Sequence, residues 1–555
     1  MKIYLLALSL AVLTLSCSKT GSTNPSSASV STLNCSGASV SSAATVGTAY
    51  SGTITVPYTG GNGVSFSSGA AITSSGVAGL TATLQSGTLA SGAGSVVYSI
   101  SGTPSATGTA SFPISLGGQS CSISLTVSDI TYVQYGTPFS NVPNRQDATI
   151  YQVNMRSFST AGNFQGVIAR LDSIAALGIN VIYLMPIYPV GSVNSVNSPY
   201  CVKDYRAVNA EFGTLTDLRT LIDGAHSRNM AVILDWVANH TAWDNPWITA
   251  HKDWYLQDGS GNILSPPGTG WTDVAQLNFN SAAMRQEMIR DMKYWVYTAN
   301  ADGFRCDYAD GPPEDFWAQA IDTLRHISSH QLLMLAEGNR SAHYASGFDY
   351  NFGFTFYGQL KSIYNNNQPA TGLDAVNTSE SNGASNGQQV VRYITNHDVN
   401  GSDGTPLDLF GGVTGSMTAF VIAAYMQGAP MVYNGQEVGT PFRLTFPFTS
   451  THINWTINPA ITAEYKRVIA FRNSSTPIRR GTATTYSTAD VCAFVKTSGM
   501  QQVFVAGNVR NSTATYTLPA SVASHTWTDA MTGVTFMAGA QISVPAYGYV
   551  VWRNY

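Results

Sequence analysis

Charged residues are scarce in this chain of 555 residues, where they make up 10% of the total, whereas ordinary soluble domains contain about 25%. The 27 lysines and arginines nearly balance the 31 acidic residues and leave a net charge of -4. A surface that binds nucleic acid needs clustered positive charge. Binding of nucleic acid is therefore not predicted.

Cysteine and histidine are also few, with six and nine residues. Their spacing matches none of the ligand patterns of structural zinc sites, in which such residues come in close pairs. A zinc-dependent function is therefore not predicted, and Cys306 is interpreted as a buried thiol.

The apolar run near the N-terminus, residues 3–15, is too short for a membrane-spanning helix, which needs about 20 residues. Lys2 precedes the run and Ser16-Cys17 follows it, which is typical of a signal peptide at residues 1–17. Residues 14–17 resemble a bacterial lipobox, although Thr14 stands where leucine is usual.

This resemblance implies that Cys17 is lipidated and anchors the protein to a membrane of the bacterial cell envelope. Ordinary secretion is the alternative. No acidic residue follows at residues 18–21, so a periplasmic and a cell-surface location both stay open.

Residues 18–33 are rich in serine and threonine and predict a flexible tether. Residues 34–130 contain short β-rich runs separated by glycine and serine, which predicts an all-β sandwich. This segment resembles immunoglobulin-like modules of bacterial surface proteins. Cys35 and Cys121 bracket it and pair as a disulfide in an oxidising envelope, or stay as two free thiols. We interpret the module as a spacer, with glycan binding or adhesion as alternatives.

Residues 131–480 alternate apolar strands with helical patterns, which predicts an α/β TIM barrel with eight parallel strands. Several strands end in polar or acidic residues, and active sites of such barrels lie at the carboxyl ends of the strands. Helices are predicted at residues 166–177 and 417–426. The predicted strands are residues 149–155, 181–186, 232–235, 303–307, 332–337, 348–354, 391–397 and 430–434.

The strand at residues 303–307 ends in side chains that could take part in catalysis. Side chains alternate along a strand, so Arg305 and Asp307 share one face and Phe304 and Cys306 share the other. The arginine lowers the pKa of a neighbouring carboxyl group and keeps it ionised, as a nucleophile requires. For this segment alone, a structural ion pair is an equally good interpretation.

Four segments together are more specific. Residues 235–240, residues 303–307, Glu337 and residues 396–398 resemble, in this order, the four signature regions of the α-amylase family, glycoside hydrolase family 13. The resemblance implies a retaining glycosidase, in which one carboxylate attacks the sugar and a carboxylic acid protonates the departing oxygen. By position, Asp307 is the expected nucleophile, Glu337 the acid and later the base, and Asp398 the third carboxylate.

The same resemblance implies four residues that hold the sugar. These are Tyr200, His240, Arg305 and His397. The tyrosine is expected to stack on the sugar ring, and the two histidines to donate hydrogen bonds to it. Packing is the alternative for the tyrosine, a structural ion pair for the arginine, and a structural role or metal binding for each histidine.

An insert at residues 241–280 corresponds to the family's domain B in a short version, which predicts an open cleft suited to long chains. It is rich in aromatic residues, most of which are expected to form the insert's own core and a minority to line the cleft. These residues are Trp243, Trp247, Trp254, Tyr255 and Trp271.

The family implies a structural calcium ion, for which Asn239 is the candidate ligand in this chain. Gln276 stands where many members have an aspartate ligand, which weakens the expectation. The chemistry itself needs no cofactor. A second departure is Asp310-Gly311, where starch-degrading members often have Lys-His.

Residues 481–555 return to short strands and predict a C-terminal β-sandwich that packs against the barrel. The expected function is hydrolysis of α-1,4 bonds in starch, glycogen or maltooligosaccharides. Cleavage of α-1,6 bonds or pullulan, glucosyl transfer, and a non-catalytic glycan-binding lipoprotein are the alternatives. The sequence predicts no particular oligomeric state.

Overall fold

The computed structural model describes residues 27–555, in two compact units that divide between Thr131 and Tyr132. The predicted signal peptide with Cys17, and residues 18–26 of the predicted tether, lie outside the described residues. Among the helices that are described, none combines the length and the apolar character needed to cross a membrane.

The first unit is built from β-strands in two main sheets. Apolar side chains at alternate positions of the longer strands form its buried core. Its predicted disulfide between Cys35 and Cys121 is confirmed, and the likeness to an immunoglobulin domain stays a prediction. One sheet contains Thr32–Leu33, Ser39–Val40, Tyr50–Asn62, Ile72–Thr73, Leu80–Leu84 and Ser91–Gly102. The other contains Ala44–Thr45, Ser75–Gly76, Gly108–Leu116 and Gln119–Ser128, and a separate pair is Ser65–Phe66 with Gly87–Thr88.

The predicted tether ends earlier than residue 33. Val30 is buried in the core of the first unit, and Thr32–Leu33 pairs with the strand Tyr50–Asn62. The apolar side chains of Val30 and Leu33 explain this difference, because they contribute to a core that the serine-rich composition around them obscures.

The second unit contains a closed barrel of eight parallel strands, as predicted. The strands are Ile150–Val153, Val181–Leu184, Ala231–Trp236, Gly303–Cys306, Leu333–Ala336, Tyr350–Phe352, Gln389–Arg392 and Ala429–Tyr433. The helices of this unit are Met155–Phe158, Phe164–Ile168, Leu171–Ala175, Leu215–His226, Pro246–Ala250, Ala282–Ala299, Glu314–Arg325, Ala342–Ala345, Phe354–Asn365, Gly372–Glu380, His397–Ser402, Pro406–Leu409, Gly412–Met426, Pro459–Ser474 and Thr476–Arg480.

Several predicted elements differ in extent. The first strand ends at Val153, before a helix that begins at Met155, and the helix predicted at residues 417–426 begins at Gly412. The seventh strand ends at Arg392 rather than at His397, because the side chain of Asn396 accepts hydrogen bonds from the backbone of residues 398 and 399 and starts a helix there. The helix predicted at residues 166–177 is divided at Arg170, which leaves the helical conformation and places its guanidinium 4.2 Å from the Trp455 ring centre.

The fourth strand begins at a position that only glycine can occupy. Gly303 has a φ of 141°, and a Cβ atom there would collide with the carbonyl oxygen of Leu333 on the fifth strand. This close approach sets the fourth and fifth strands side by side in register, with Cys306 opposite Ala336. The residues that follow the two strands, Asp307 and Glu337, are therefore neighbours.

Buried aspartates also precede several strands, at the opposite end of the barrel. Asp349 precedes the sixth strand and accepts hydrogen bonds from Arg325 and from the backbone N–H of Met334, and it forms an ion pair with Arg145. Asp302 precedes the fourth strand and accepts from His226 and from a backbone N–H. These contacts tie the strand starts to the surrounding helices and loops.

The insert after the third strand forms a small hairpin, His240–Ala242 with Val274–Gln276. The prediction that its aromatic residues form a core of their own is wrong: Trp254 and Tyr255 are buried in the hydrophobic core of the barrel, and Trp243 and Trp247 pack against that core. The hairpin places His240 at the mouth of the barrel.

The C-terminal region is all β, as predicted, and one face of its larger sheet joins the hydrophobic core of the barrel. The helix Gly412–Met426 lies in this shared core, where Gly507 packs closely against Thr418 and Ile422. The larger sheet contains Thr482–Thr485, Val491–Ser498, Gln501–Asn508, Thr526–Asp529, Thr535–Met537 and Tyr549–Arg553, and a separate pair is Ala514–Thr517 with Gln541–Val544.

Candidate active site

A cavity of about 570 Å³ opens at the carboxyl end of the barrel strands. Six of the seven predicted catalytic and sugar-binding residues line it, and the seventh, Arg305, lies buried beneath them. The six are Tyr200, His240, Asp307, Glu337, His397 and Asp398. The structure therefore brings together side chains that are up to 198 positions apart in the chain.

The Arg305 guanidinium contacts three carboxylates from its buried position. Its Nη1 lies 2.7 Å from Asp235 and 3.0 Å from Asp307, and its Nη2 lies 2.6 Å from Glu337. One cation thus faces three potential anions. A buried group of this kind retains a proton, because full ionisation would leave uncompensated negative charge in a medium of low dielectric.

The pKa shifts follow from this imbalance. Burial raises the pKa of Asp307, the charge of Glu337 raises it further, and Arg305 opposes both effects. The expectation that Arg305 lowers the pKa of Asp307 below its ordinary value is therefore wrong, because burial and the neighbouring carboxylates outweigh the single guanidinium. Burial likewise raises the pKa of Asp235 to about 6, against the opposing effect of Arg305. Across the cavity, the recessed position of Asp398 raises its pKa as well. The site therefore holds protons that a solvated set of carboxylates would lose.

His397 belongs to a chain of hydrogen bonds that crosses the cavity floor. Gln152 lies 2.8 Å from its Nδ1, and the Tyr200 hydroxyl lies 2.7 Å from its Nε2 and donates to Asp235 at 3.0 Å. Burial lowers the pKa of His397 to about 3. The neutral ring accepts from Gln152 at Nδ1, so its Nε2–H is the donor on the cavity side.

Tyr183 gives Asp235 a third partner. Its buried hydroxyl donates to the carboxylate at 2.6 Å, beside the bonds from Tyr200 and Arg305. Asp235 is therefore held in one orientation by groups from the second strand, the loop after it and the fourth strand. Its contribution is to position Arg305 and Tyr200.

His240 lines the opposite wall of the cavity. It is 3% exposed, and burial lowers its pKa to about 4. Its ring contacts the edge of Trp271, with ring centres 5.5 Å apart. A neutral imidazole at this place offers one N–H donor to a polar ligand.

Both oxygens of Glu337 are held by donors. Arg305 binds Oε1, and the backbone N–H of Tyr308 donates to Oε2 at 2.8 Å. Tyr308 has a φ of 42°, in the left-handed region that is uncommon for residues other than glycine. The turn directly after Asp307 thus directs a backbone donor towards Glu337.

Aromatic rings line the cavity, among them the exposed Trp271, Tyr308 and Phe446 and the buried Phe448. Trp271 and Tyr308 meet edge to face on one side, with ring centres 5.1 Å apart, and Phe446 and Phe448 lie on another. Among the five aromatic residues that the sequence indicated in the insert, Trp271 is the one that lines the cavity. Such rings offer flat apolar surfaces that suit the apolar faces of sugars.

Asp310, one of the departures from the family pattern, also lines the cavity. Its Oδ1 lies 2.7 Å from Nε2 of the buried His343 and 3.5 Å from Arg340. Hydrogen bonding from His343 and the charges of His343 and Arg340 lower the pKa of Asp310, although its partial burial opposes them. The chain thus places a fixed anion where many relatives have a cation.

Asn239, the predicted calcium ligand, is engaged by a neighbouring amide. Its Nδ2 donates to Gln276 at 3.0 Å, and its Oδ1 accepts from Gln276 at 3.2 Å. The described residues contain no cluster of three or more His, Cys, Asp or Glu side chains suited to a metal ion. Calcium prefers six to eight oxygen ligands with several carboxylates, and two amides that satisfy each other do not fit this requirement.

Sequence reasoning missed several residues of the site. Gln152 and Tyr183 lie in the first and second strands, where alternation along each strand would have placed them inside the barrel. Tyr308 directly follows Asp307 and could have been found by its position. Phe446 and Phe448 follow the last strand in an irregular loop, and no local pattern indicates them.

A comparison with family models matches residues 134–267 to the catalytic domain of α-amylase. The chain is 26% identical over 346 residues to α-amylase 3 of Dictyoglomus thermophilum, which covers 56% of this chain and 67% of that one. It is 29% identical over 197 residues to an oligo-1,6-glucosidase of Parageobacillus thermoglucosidasius, covering 29% and 34%. The chain therefore spans two thirds of the first relative and one third of the second.

Solved structures show the same fold. An α-amylase from Lactobacillus plantarum superposes with a TM-score of 0.65 at 23% identity, covering 74% of this chain and 99% of the other. At this identity the likeness establishes the architecture of the barrel and its C-terminal sheet.

Proposed function

We propose that the barrel is a catalytic domain of the α-amylase family, glycoside hydrolase family 13, and that it cleaves α-1,4-glucosidic bonds of starch, glycogen or maltooligosaccharides with retention. The observation that carries this proposal is the contact of one buried guanidinium with Asp307 and Glu337 at the floor of an aromatic-lined cavity. This arrangement supplies two carboxyl groups that share protons, as double displacement requires.

The distance between the two groups follows from the sheet. Adjacent strands are about 4.8 Å apart, and Asp307 and Glu337 directly follow the paired residues Cys306 and Ala336. Retaining enzymes place their carboxyl groups about 5 to 5.5 Å apart, whereas inverting enzymes need more room for a water molecule. The neighbouring strand ends therefore favour retention.

In the first step, an oxygen of Asp307 attacks the anomeric carbon while protonated Glu337 gives its proton to the departing glucosyl oxygen. Arg305 contacts both carboxyl groups. When Asp307 loses its negative charge by bonding to the sugar, Glu337 becomes negatively charged, and the guanidinium stays beside an anion throughout. In the second step, Glu337 takes a proton from water, and the resulting oxygen nucleophile releases the sugar from Asp307.

The remaining side chains would orient the sugar between these groups. Neutral His397 and His240 present N–H donors, and the ring of Tyr200 stacks beside His397 at 5.5 Å between ring centres. Asp398 lies on the cavity side of His397, at 3.3 Å from its Nε2, and accepts sugar hydroxyl groups. Hydrogen bonds to the ring hydroxyls strengthen as the sugar flattens towards the transition state.

The linkage is inferred from the shape and lining of the site. A broad cavity with aromatic rings on more than one side suits an extended polymer better than a closed pocket would. The two relatives above are named for α-amylase and for oligo-1,6-glucosidase activity, so α-1,6 cleavage and glucosyl transfer are the competing activities.

Digestion of amylose, pullulan and panose by residues 18–555 tests the linkage. We expect maltooligosaccharides from amylose and little product from panose, and cleavage of panose or pullulan alone would contradict the α-1,4 assignment. Proton NMR of the first product should show the α-anomer before mutarotation, because two displacements preserve the configuration. A product that starts as the β-anomer contradicts retention.

We also propose that Cys17 carries a lipid that anchors the enzyme to the cell envelope. This proposal rests on Lys2, the apolar run at residues 3–15 and Ser16-Cys17. A Cys17→Ser variant should move from the membrane fraction to the soluble fraction. Retention of the variant in the membrane fraction would refute the lipid anchor.

A further inference from the structure

Arg156 is a buried cation that does not line the catalytic cavity. It lies in the short helix Met155–Phe158 after the first barrel strand, and its side chain is 3% exposed. Glu211 balances its charge and accepts hydrogen bonds from Nε and Nη2, at 2.9 Å each. This ion pair leaves the other N–H groups of the guanidinium fork for further partners.

The remaining donors reach two loops that are far apart in the chain. Asn197 accepts twice, because its backbone carbonyl oxygen lies 2.8 Å from Nη1 and its side-chain Oδ1 lies 3.0 Å from Nη2. The backbone carbonyl of Pro447 accepts from Nη1 at 3.1 Å. Arg156 therefore joins residues 192–200, which follow the second strand, to residues 441–450, which follow the eighth. We call these two segments the clamped loops.

Both clamped loops form part of the wall of the catalytic cavity. The residues on either side of Asn197 line the cavity, and so do the residues on either side of Pro447. These four are Val196, Ser198, Phe446 and Phe448. Residues 192–200 and 441–450 contain no helix or strand, so regular backbone bonding does not fix them. The bonds from Arg156 hold the two segments where secondary structure does not.

The clamped loops meet at His397. The ring of Tyr200, at the end of one loop, stacks on the His397 ring with centres 5.5 Å apart. Phe448, in the other loop, has its ring centre 6.4 Å from that of His397. The Ser198 hydroxyl accepts from the backbone N–H of Tyr200 at 3.2 Å, so the residue next to Asn197 also bonds to the residue that carries the stacked ring.

The catalytic carboxyl groups are held by different contacts. Asp307 and Glu337 follow paired barrel strands, and both contact Arg305. The sheet and Arg305 therefore set their positions. A change at Arg156 should move the wall of the cavity and leave the reacting groups in place.

We propose that Arg156 is a positioning residue, which holds the two clamped loops in the shape that receives a sugar beside His397. For the nature of the ligand, this inference rests on the proposed function. Loops that are ordered before the sugar arrives do not have to be ordered by it, and the affinity rises by the cost that is avoided.

Arg156→Lys separates the fork from the charge. A lysine keeps the positive charge beside Glu211, but one ammonium group cannot reproduce the planar fork that also bonds to Asn197 and Pro447. We expect KM for maltoheptaose to rise about tenfold and kcat to fall by less than about threefold, because binding must then order the loops.

Hydrogen exchange of backbone amides measures the clamped loops directly and needs no substrate. In Arg156→Lys, the amides of residues 192–200 and those of residues 441–450 should both exchange about tenfold faster. The barrel strands should exchange as in the wild-type protein. A common change in two segments so far apart in the chain is the signature of a shared clamp.

Arg472→Lys is the matched control. Arg472 is also buried and donates to backbone carbonyls, those of Gln146 and Gly428, but it does not line the catalytic cavity. This variant should lower the melting temperature and leave KM and the exchange of the clamped loops unchanged.

Asn197→Gly provides a smaller change if Arg156→Lys folds poorly. It removes the Oδ1 acceptor, and glycine tolerates the φ of 60° at this position. KM should rise about threefold. Asn194→Gly is its control, because Asn194 has a φ of 55° in the same loop and is not among the bonding partners of Arg156.

The outcomes separate this proposal from the proposed function. If the wild-type protein cleaves no α-glucan, the proposed function fails, and hydrogen exchange alone decides whether Arg156 joins the loops. If the wild-type protein cleaves maltoheptaose, an unchanged KM or unchanged exchange of the clamped loops in Arg156→Lys overturns the positioning role. Faster exchange throughout the barrel, with kcat lost as strongly as KM rises, would also overturn it, because the structure as a whole would then be loosened.

Discussion

The two ends of the barrel hold buried carboxylates in opposite electrostatic settings. At the end where strands begin, Asp349 has two arginines and a backbone N–H as partners. At the end where strands finish, a single guanidinium, Arg305, serves three carboxylates. Cations are in excess around Asp349, and anions are in excess around Arg305.

This difference separates stability from reactivity. A carboxylate that binds two arginines and a backbone N–H, as Asp349 does, adds to the stability of the folded state. Three carboxylates that compete for one cation cannot all ionise easily, and burial raises the pKa values of Asp235 and Asp307. Such a group can hold an acid and a base at the same time. The two ends of one barrel thus use the same residue types for different purposes.

The largest expected effect is the loss of the nucleophile. Asp307→Asn should lower kcat by at least about 10⁴-fold on every substrate while glucan binding persists, because the amide cannot form the covalent intermediate. Steady-state kinetics and a binding assay with maltoheptaose measure both properties. Turnover within about tenfold of the wild-type value would place the nucleophile elsewhere.

Glu337→Gln provides the companion measurement. The variant should retain more activity on an activated aryl glycoside than on maltoheptaose, since a good leaving group departs without acid assistance. Equal losses on the two substrates would remove Glu337 from the role of the acid.

The opposite end of the barrel should show a moderate effect on stability alone. Asp349→Asn removes the charge shared by Arg145 and Arg325, and we expect the free energy of unfolding to fall by about 2 kcal/mol. Activity per folded molecule should not change, because Asp349 lies away from the catalytic cavity. Urea denaturation measures the free energy of unfolding, and steady-state kinetics measure the activity. A loss of kcat without a loss of stability would contradict a purely structural role of Asp349.

A smaller effect concerns pH. The pKa of His240 in the folded protein is about 4, below the ordinary value of about 6.5, so the unfolded chain binds the proton first as the pH falls. His240 therefore contributes stability above about pH 6.5 that is lost towards pH 4, by up to about 1.4 kcal/mol per pH unit.

In His240→Gln, the loss of stability that His240 causes between pH 6.5 and pH 4 should disappear. Asp235, whose pKa is raised to about 6 by burial, has the opposite effect on stability in both proteins. Melting curves of wild type and variant at several values between pH 6.5 and pH 4 test the difference. If the melting temperatures of wild type and variant change with pH by the same amount over this range, His240 takes up its proton as readily in the folded protein as in the unfolded chain.

The smallest expected effect is that of a chelator. We propose that the domain needs no calcium, because Asn239 and Gln276 bond to each other and offer no carboxylate. Excess EDTA should therefore change neither the activity nor the melting temperature by more than a small amount. Inactivation that added calcium reverses would contradict this proposal.

Much of the architecture could be predicted because periodic apolar segments specify it locally. All eight predicted barrel strands overlap observed strands, and the carboxylates that the sequence indicated after the fourth and fifth strands meet at Arg305. The contact of Arg305 with Asp307 could also be predicted, since side chains two positions apart in a strand lie on the same face.

The missed residues depend on contacts between distant segments. Phe446 and Phe448 line the cavity from a loop after the last strand, and a loop without periodicity gives no indication of the surface it faces. Likewise, the end of the seventh strand depends on Asn396, whose side chain starts a helix where apolar character alone predicted continued strand. Capping bonds of this kind compete with strand propensity over a few residues.

The disulfide of the first unit has a mechanical consequence. Cys35 and Cys121 are 86 positions apart and covalently joined, so a pulling force transmitted along the chain bypasses the residues between them. Among the described residues of this unit, the flanks 27–34 and 122–131 are the parts outside the closed loop that a pulling force can extend. At about 3.5 Å per extended residue, this limits how far the unit lengthens under tension, for instance when a bound polymer is dragged by flow.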